Sequence, residues 1–481
     1  MGNKIIKNSI YNVIYKVFSV LFPLVTTSYI SRILLAEGVG KVAYSQTIVT
    51  YFITIACLGI PQYGIKCIAQ SGDKNNRSQS FCELFTINLF STVCCIVVYF
   101  LVINFIPYFE SKRSLHNVMG LLLILNVFNV DWFYQGIEEY SYIATRSIII
   151  KALSFVIMLL LVKNKEDYII YGFILCFATA GNYLMNMFNI RKYISFKFNQ
   201  LNIKRHLKPV IILLASAVAT EIYTMLDTVM IEHFHGDECV GYYSNTVKTI
   251  RIAYTLVIAV VATFYPQISK YLKEKKFDES NRLLSIGLKM IVMIAVPMTA
   301  GLFIMSSDLV VLLLGKDFLN CIITLRIMSI LIIVFSFAYF LGHIILMSTG
   351  NEKKILYATI CGACSNFVLN MILIPLIRHN GAAIASVIAE VVVTILLIYN
   401  SRKYIHLNIT KKYCIDIVLA TIIMIAVLIP IEFFISSRWV RTVLGVCVGG
   451  SVYLGYLFVR GNEMLNRVLG MVSNKVKKKS S

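Results

Sequence analysis

Four charged side chains in one apolar hairpin are the residues of this sequence most able to do chemistry. The hairpin, residues 209–267, carries two carboxylates on its first helix and two cations on its second: Glu221, Asp227, Lys248 and Arg251. A charge at the centre of a bilayer costs roughly 2.5–3.5 kcal/mol on insertion scales. Four such groups therefore need a water-filled cavity, mutual pairing, or both. The pattern predicts that this hairpin forms one wall of a polar transport pathway.

The two cations belong to a polar stripe on the second helix of the hairpin. Four positions share one helix face because they follow i, i+4, i+7, i+11 spacing: Ser244, Lys248, Arg251 and Thr255. Cations held in a cavity can bind an anion, and this is the role predicted for Lys248 and Arg251. Two alternatives stay open. Lys248 can extend to the outer membrane surface, and Arg251 can pair with Asp227 at similar depth on the preceding helix.

The carboxylates of the spans are candidates for a coupling ion. Glu221 lies near the middle of its helix, where no lysine or arginine is obviously level with it. It is predicted to hold a proton or a cation and to couple that ion to transport. A protonated Glu221, hydrogen-bonded to a neighbouring helix, is the alternative. Asp227 and Glu390, the latter in the middle of a later span, are further candidates for the same role.

Two more cations are assigned to substrate binding. Lys16 lies inside the first span and is predicted to face a cavity, although it can also extend to the cytoplasmic surface. Arg326 lies in the outer third of the tenth span, where it can form a second polar patch or a structural pair with Glu390. No catalytic residues and no metal ligands are predicted, because the histidines lack ligand spacing and no phosphate-binding loop is present.

These residues need a polytopic membrane frame to position them. The chain is 58% hydrophobic and 14% charged, against about 25% charged residues in soluble domains. Fourteen apolar runs of about 20 residues are expected as spans: 9–33, 41–66, 80–105, 116–137, 142–162, 168–190, 209–231, 241–267, 283–306, 321–348, 355–377, 381–400, 412–434 and 440–459. The turn between the seventh and eighth spans is expected at Glu232–Cys239. Trp132, Phe133 and Tyr134 are expected at the inner membrane interface.

Charge in the connections predicts topology and domain organisation. Connections assigned to the cytoplasm carry roughly three times as many lysines and arginines as the others, which predicts that both termini are cytoplasmic. The net charge is +21, but the basic residues lie between apolar runs and are explained by membrane topology, so a nucleic-acid partner is not expected. The predicted segments are 1–208 with six spans, 209–411 with six spans, and 412–481 with two spans and a basic tail.

A weak internal repeat supports this division. Tyr44–Val49 opens the second span and Tyr243–Lys248 opens the eighth, and each of these spans contains a Pro-Gln pair farther along, at Pro61 and Pro266. Two halves that both start inside would be parallel repeats, related by an axis along the membrane normal. Chance similarity between two apolar hairpins is the alternative.

Several segments resemble those of one transporter family. They are Tyr29–Ser45, Asp131–Glu138 with Arg146 and Lys151, Leu226–Ile231 with Val240–Ser244, and Leu325–Ile330. Together they resemble the Wzx-type polysaccharide flippases, in the polysaccharide transporter family of the multidrug/oligosaccharidyl-lipid/polysaccharide (MOP) exporter superfamily. The outer turn 232–238 departs from the pattern at a place where the family varies.

The resemblance implies a fold and a function. The implied fold is all-α, with two six-helix lobes in a V around a central cavity and two C-terminal helices. The implied partner is an undecaprenyl-pyrophosphate-linked oligosaccharide repeat unit, moved across the cytoplasmic membrane by alternating access for O-antigen or capsule biosynthesis. Lys16, Lys248 and Arg251 would meet its pyrophosphate and sugar. Membrane lipids are expected partners, and a polysaccharide polymerase is an open possibility. No cofactor is expected, and proton or sodium coupling stays open.

Two other functions stay open. A cation-coupled drug antiporter of the same superfamily would have a cavity dominated by carboxylates. A membrane-embedded glycan polymerase or ligase would usually present a large outer loop, whereas the longest outer connections here, 106–114 and 307–320, are short. The expectation is therefore a transporter and not an enzyme.

Overall fold

The structure is a computed structural model that describes residues 2–196, 201–404, 410–467 and 470, with side chains from residue 22 onward except Lys273. These residues form helices and no strand. Eleven helical segments among them are long and apolar enough to cross a membrane. Three of the eleven, Phe22–Gln70, Lys204–Ala262 and Glu352–Tyr404, each hold two spans, so the predicted total of about fourteen spans is confirmed. The chain is a multi-pass membrane protein, as predicted.

In each of the three long segments, only one or two non-helical residues separate the two spans. The interruptions are Leu35 (φ 57°, ψ −175°), Gly236 (φ 76°, ψ −173°) and the pair Ile377–Arg378, of which Arg378 has φ 56°. Glycine adopts a positive φ at little cost because it lacks a Cβ, so Gly236 suits the break in α8. Helical hydrogen bonding continues up to Gly236 and resumes directly after it. The expected turn over Glu232–Cys239 is therefore too long.

The chain forms two compact units, Met1–Gly241 and Tyr242–Ser481. The helices of the first unit are α1 (Gly2–Cys57), α2 (Ile60–Gln70), α3 (Lys74–Phe105), α4 (Arg113–Leu125), α5 (Asp131–Gly136), α6 (Tyr140–Leu161), α7 (Tyr168–Ile190) and the part of α8 (Lys204–Ala262) before Tyr242. The predicted segment limits at residues 208 and 411 remain predictions.

An aromatic core lies between α2, α3 and α5 in the first unit. Phe81 stacks on Trp132 with ring centroids 5.6 Å apart, and an added Cβ at Gly64 would lie 2.4 Å from the same indole. Trp132, Phe133 and Tyr134 are 4%, 0% and 0% exposed. The short helix α5 packs inside this core, and the expected place of these residues at the membrane interface stays a prediction.

Two helix starts in the first unit cross at very close range. An added Cβ at Gly40 would lie 1.7 Å from the carbonyl oxygen of Asp237, and one at Gly241 would lie 2.0 Å from the carbonyl oxygen of Ala36. The two contacts are reciprocal, since Ala36 and Asp237 are separated by 201 residues (237 − 36), as are Gly40 and Gly241 (241 − 40). Only glycine permits this approach at either position.

In the described part of the second unit, the rest of α8 is followed by a series of long and short helices. They are α9 (Tyr265–Lys273), α10 (Phe277–Ile304), α11 (Ser306–Leu313), α12 (Cys321–Ser329), α13 (Leu331–Tyr339), α14 (Glu352–Ser401), α15 (Lys411–Phe434) and α16 (Arg438–Val459). Helices α12 and α13 continue through a π-helical turn, Phe340–Leu346, into a single span, Cys321–Leu346. Its buried residues pack with α10 and α14 in one apolar core.

The last two helices pack on α10 within the second unit. Ile417 and Met424 of α15 and Leu457 of α16 form a core with Met293 of α10. The Tyr453 hydroxyl donates a hydrogen bond to the Met293 carbonyl at 2.7 Å. Helices α15 and α16 are therefore an integral layer of this unit.

The two hairpins of the predicted internal repeat share structural features. Helix α2 begins at Ile60-Pro61 and α9 begins at Tyr265-Pro266, so each Pro-Gln pair starts a short helix. Proline fits there because the first turn has no intrahelical hydrogen bond to lose. The register differs from the expected one. Aligning Tyr44 with Tyr243 gives an offset of 199 (243 − 44), two fewer than the offset of the reciprocal glycine contacts.

Candidate functional site

The polar stripe on α8 forms the candidate substrate site. Lys248, Arg251 and Thr255 are exposed, whereas Ile250, Ala253 and Val257 on the other faces of the helix are buried. The stripe therefore has the amphipathic form that its spacing predicted. The α-carbons of Lys248 and Arg251 are separated along the helix axis by about 4.5 Å, so the two cations can contact the same anion.

Neither cation of the stripe forms an ion pair within the described part of the second unit, although Arg251 hydrogen-bonds to the Tyr254 hydroxyl. The ion pairs that the described part of the second unit forms join other residues, such as Lys289 with Glu463 and Arg460 with Asp416. Neither Lys248 nor Arg251 takes part in them. The predicted pairing of Arg251 with Asp227 would join the two units and stays a prediction.

The carboxylates on the first half of α8 lie in the first unit. Asp227 is 5% exposed, and Glu221 is half-buried two helical turns before it. The Tyr51 hydroxyl interacts electrostatically with both carboxylates, so α1 contributes to the same polar region. This brings together two of the three residues proposed to bind a coupling ion.

Glu390, the third carboxylate, belongs to the second unit. It is 5% exposed on α14, one turn after Ser386. The Ser386 hydroxyl hydrogen-bonds to the Tyr243 hydroxyl at 3.0 Å. Its predicted role in ion coupling stays a prediction.

Arg326 has structural contacts that account for its position. Its Nε donates to the Ser306 hydroxyl at 2.8 Å, and its guanidinium lies 5.6 Å from the centre of the Phe303 ring. It therefore bridges α12 to the α10–α11 junction, and its predicted roles in substrate binding or in a pair with Glu390 stay predictions. Lys16, the remaining predicted cation, lies outside the residues whose side chains the structure describes.

A buried polar cluster in the first unit was not predicted as a site. The Arg146 guanidinium, 2% exposed, pairs with Asp131 at 2.9 Å and donates to the Asn182 carbonyl at 3.1 Å and to the Asn186 side chain. Asn186 in turn donates to Asp131 at 2.6 Å. The pattern was visible as an arginine inside the apolar run of α6 and two asparagines four residues apart on α7. The cluster fixes α5 against α6 and α7.

A second unpredicted cluster holds the break in α8. The Lys112 ammonium lies 2.5 Å from Glu232 and 2.7 Å from Asp237, which flank Gly236. It also lies 4.8 Å from the centre of the Tyr44 ring. Sequence reasoning placed Lys112 in an outer connection but had no signal for its partners, because they are 120 residues or more away.

A third polar cluster surrounds the buried carboxylate of Glu83. Glu83 is fully buried and accepts hydrogen bonds from the Asn202 backbone at 2.8 Å, from Arg205 Nε at 2.9 Å and from His206 at 2.7 Å. Tyr63 bonds the other nitrogen of His206 at 2.9 Å. The start of α8 is thereby tied to α2 and α3. Within the described residues no group of three His, Cys, Asp or Glu side chains is arranged to hold a metal ion.

Comparison with known proteins defines the class and then the family. The fold is similar to that of a lipid II flippase MurJ in an inward closed conformation, with a TM-score of 0.76 and 16% identity over 93% of this chain and 98% of that one. The protein therefore has the fold of a MOP-superfamily transporter, which confirms the predicted fold class. The chain belongs to the polysaccharide biosynthesis protein family, whose sequence profile matches residues 5–272, and the MatE profile matches residues 213–372.

Two relatives from other organisms are similar over long stretches. An Escherichia coli (strain K12) protein named "Putative O-antigen transporter" is 24% identical over 405 residues, 82% of this chain and 96% of that protein. A Haloferax volcanii protein named "Probable low-salt glycan biosynthesis flippase Agl15" is 21% identical over 239 residues, half of each chain. The predicted family resemblance is confirmed.

Proposed function

We propose that this protein is a flippase that moves an undecaprenyl-pyrophosphate-linked oligosaccharide repeat unit across the cytoplasmic membrane by alternating access. The observation that carries the proposal is the pair of exposed cations, Lys248 and Arg251, on a membrane span of a polysaccharide biosynthesis family member. The protein acts as a transporter and leaves the bonds of its substrate unchanged.

The energetics of the two cations require a polar environment. Facing acyl chains, Lys248 and Arg251 would together cost about 5–7 kcal/mol, at roughly 2.5–3.5 kcal/mol each. A water-filled cavity removes this cost, and a polyanion in that cavity gains from both charges. A pyrophosphate suits them well, because a guanidinium donates two parallel hydrogen bonds to phosphate oxygens and an ammonium adds a compact charge. The sugar chain would then extend from a headgroup held by α8.

Coupling to a proton or to sodium is the second part of the proposal. Glu221 and Asp227 lie on the same span in the first unit, and Glu390 is buried in the second. Carboxylates in membrane spans are costly, and they commonly mark ion pathways. Ion binding at these groups would supply the driving force for export.

Export of the repeat unit in cells that depend on this gene tests the proposal. Lys248→Ala with Arg251→Ala should abolish surface polysaccharide at normal protein level, and each single variant should reduce it strongly. Lys248→Arg keeps the charge and should retain most export. Arg251→Lys keeps the charge but loses the two parallel hydrogen bonds, so it should retain only part. Lys270→Ala, an exposed charge loss on α9, is the matched control. Normal export by the double alanine variant would refute the role of the stripe.

A drug antiporter is the second candidate function, because the MatE profile matches residues 213–372 and Asp227 and Glu390 are buried carboxylates. Resistance to toxic cations on expression, lost in Asp227→Asn but retained in Arg251→Ala, would favour it. The opposite pattern, with export lost in Arg251→Ala and no resistance on expression, favours the flippase.

A further inference from the structure

A cavity of about 460 Å³ lies in the second unit, where α10 begins and the chain continues past α16. Its walls are formed by one face of the first turns of α10 and by the segment after α16. Asn281, Arg282 and Lys289 line it from α10, and Glu463 and Arg467 line it from the other side. The volume is within the range of sites that bind small ligands. Neither the proposed flippase site on α8 nor the three buried clusters include these residues.

The lining is rich in cations, and one acid already binds two of them. Lys289 Nζ lies 2.8 Å from Glu463 and Arg467 lies 3.0 Å from it. The hydrogen bond from Lys289 lowers the pKa of Glu463, so this carboxyl is ionised at neutral pH. With Arg282 and with Asp278 at the entrance, three positive and two negative charges line the cavity, which leaves it net positive.

Two donors in the lining form no hydrogen bond within the described residues. The Arg282 guanidinium is exposed and acts on the Glu463 carboxylate only through its charge, and the Asn281 amide forms no hydrogen bond either. Arg282 and Lys289 lie seven residues apart on α10, which places them on one helix face, and Asn281 flanks that face. These groups line a cavity to which Arg467 adds a third cation from the other wall, so an anion placed there would meet donors from both walls.

The depth of the cavity matches a lipid headgroup. Its lining on α10 extends from Asp278 to Lys289, about 16 Å along the helix axis. The span on this helix is predicted from residue 283, so the cavity begins in a basic connection and ends inside the apolar segment. The connections on both walls, 268–282 and 460–481, are among the most basic of the chain and are predicted to be cytoplasmic. The cytoplasmic leaflet carries acidic lipids, and basic pockets between helices at that level bind their headgroups.

We propose that this cavity binds the phosphate of an acidic phospholipid from the cytoplasmic leaflet. Arg282 and Asn281 donate to the phosphate from α10, and Arg467 donates from the segment after α16. Lys289 supplies charge at the deep end of the cavity. Glu463 competes with the phosphate for Lys289 and Arg467, so it lowers the affinity of the cavity for the lipid. The bound lipid joins the C-terminal segment to α10 and strengthens the packing of α15 and α16.

Native mass spectrometry of the purified full-length protein tests the proposal. Phosphatidylglycerol and phosphatidylcholine with identical acyl chains are added separately, and bound lipids are counted. Each cation near an acidic headgroup contributes a factor of about five, so Arg282→Ala with Arg467→Ala should weaken phosphatidylglycerol binding roughly thirtyfold. Phosphatidylcholine binding should not change. Lys270→Ala, with its side chain 71% exposed outside the cavity, should keep phosphatidylglycerol binding at the wild-type level.

Glu463→Gln keeps the shape of the side chain and distinguishes the proposal from a purely structural role. If Glu463 competes with the lipid, the variant should bind phosphatidylglycerol more tightly, by about fivefold. If the residue only holds the two helices together, the variant should bind equally or more weakly. Equal or weaker binding overturns the proposal, as does unchanged binding by the arginine double variant.

Inorganic phosphate at millimolar concentration identifies the source of the anion. It should neither displace phosphatidylglycerol nor raise the unfolding temperature. If it does both as well as the lipid, the cavity is a soluble-anion site and the lipid proposal is wrong.

Discussion

The reciprocal glycine crossing gives the sharpest test of the packing in the first unit. An alanine at Gly40 would place its Cβ 1.7 Å from the Asp237 carbonyl oxygen, and one at Gly241 would place its Cβ 2.0 Å from the Ala36 carbonyl oxygen. Both contacts are with backbone, so no side chain can rotate away. The helices must separate instead.

The expected cost follows from that separation. Overpacking a core by one methyl group typically costs about 1–3 kcal/mol. A clash with rigid backbone belongs at the upper end, so we expect about 3 kcal/mol for Gly40→Ala and for Gly241→Ala. At about 2–4 °C per kcal/mol for a unit of this size, the unfolding temperature should fall by about 6–12 °C.

The two substitutions should not be additive. Once the helices have moved apart for one alanine, the second clash is largely relieved, because both occur at the same crossing. We therefore expect the double variant to lose only slightly more stability than either single variant, with a coupling of about 2 kcal/mol. A coupling of this sign would be direct evidence of the reciprocal contact.

Thermal unfolding of the purified protein in one detergent is the assay, with Gly301→Ala as the matched control. Gly301 is in α10 and an added Cβ there would have no atom within 4 Å, so this variant should be neutral or more stable by up to about 1 kcal/mol. The packing argument is refuted if Gly40→Ala and Gly241→Ala unfold at the temperature of the control. Full additivity in the double variant would refute the reciprocity.

Three further predictions concern the ion pairs and the exposed loops. Arg146→Ala removes a buried guanidinium that binds Asp131, whose side chain is 31% exposed, so thermal unfolding should show a loss of about 1.5–3 kcal/mol. Arg441→Ala removes a two-pronged contact with Asp308, and backbone amides of α16 should exchange faster by the equivalent of about 1.5–3 kcal/mol. The backbone amides of residues 163 and 164 donate hydrogen bonds to Asp167 and lower its pKa in the folded protein. The ionised carboxylate therefore stabilises the fold at pH values above the pKa of the unfolded chain. This stabilisation is lost as the pH falls through the lower pKa of the folded state. The stability difference between wild type and Asp167→Asn should therefore shrink below about pH 4.

The sequence predicts the class of fold because hydropathy alone determines where a chain can cross a bilayer. The number of spans is correct for this reason, and the family is correct because several short segments resemble those of its members. The exposed face of Lys248 and Arg251 was also predictable, since i, i+3 spacing on a helix places side chains together whatever surrounds them. These are properties of local sequence.

The contacts between distant segments were not predictable. The packing of Trp132 against Phe81 could not be predicted, because the two residues lie on different helices, α5 and α3. The contacts of Arg326 with Ser306 and Phe303 could not be predicted, because those residues lie on other helices. Lys112 meets Glu232 across more than a hundred residues, and no spacing rule covers that distance. Each of these depends on tertiary packing.

Solvent access to the α8 stripe tests the central claim most directly. In a variant lacking the native cysteines, Lys248→Cys and Arg251→Cys are exposed to a negatively charged, membrane-impermeant thiol reagent. Ile398→Cys, an exposed apolar position on α14, is the lipid-facing control. Rapid labelling at 248 and 251, slowed by an undecaprenyl-pyrophosphate-linked glycan and absent at 398, is the predicted result. If positions 248 and 251 label as slowly as 398, the two cations face lipid and the proposed pyrophosphate site is wrong.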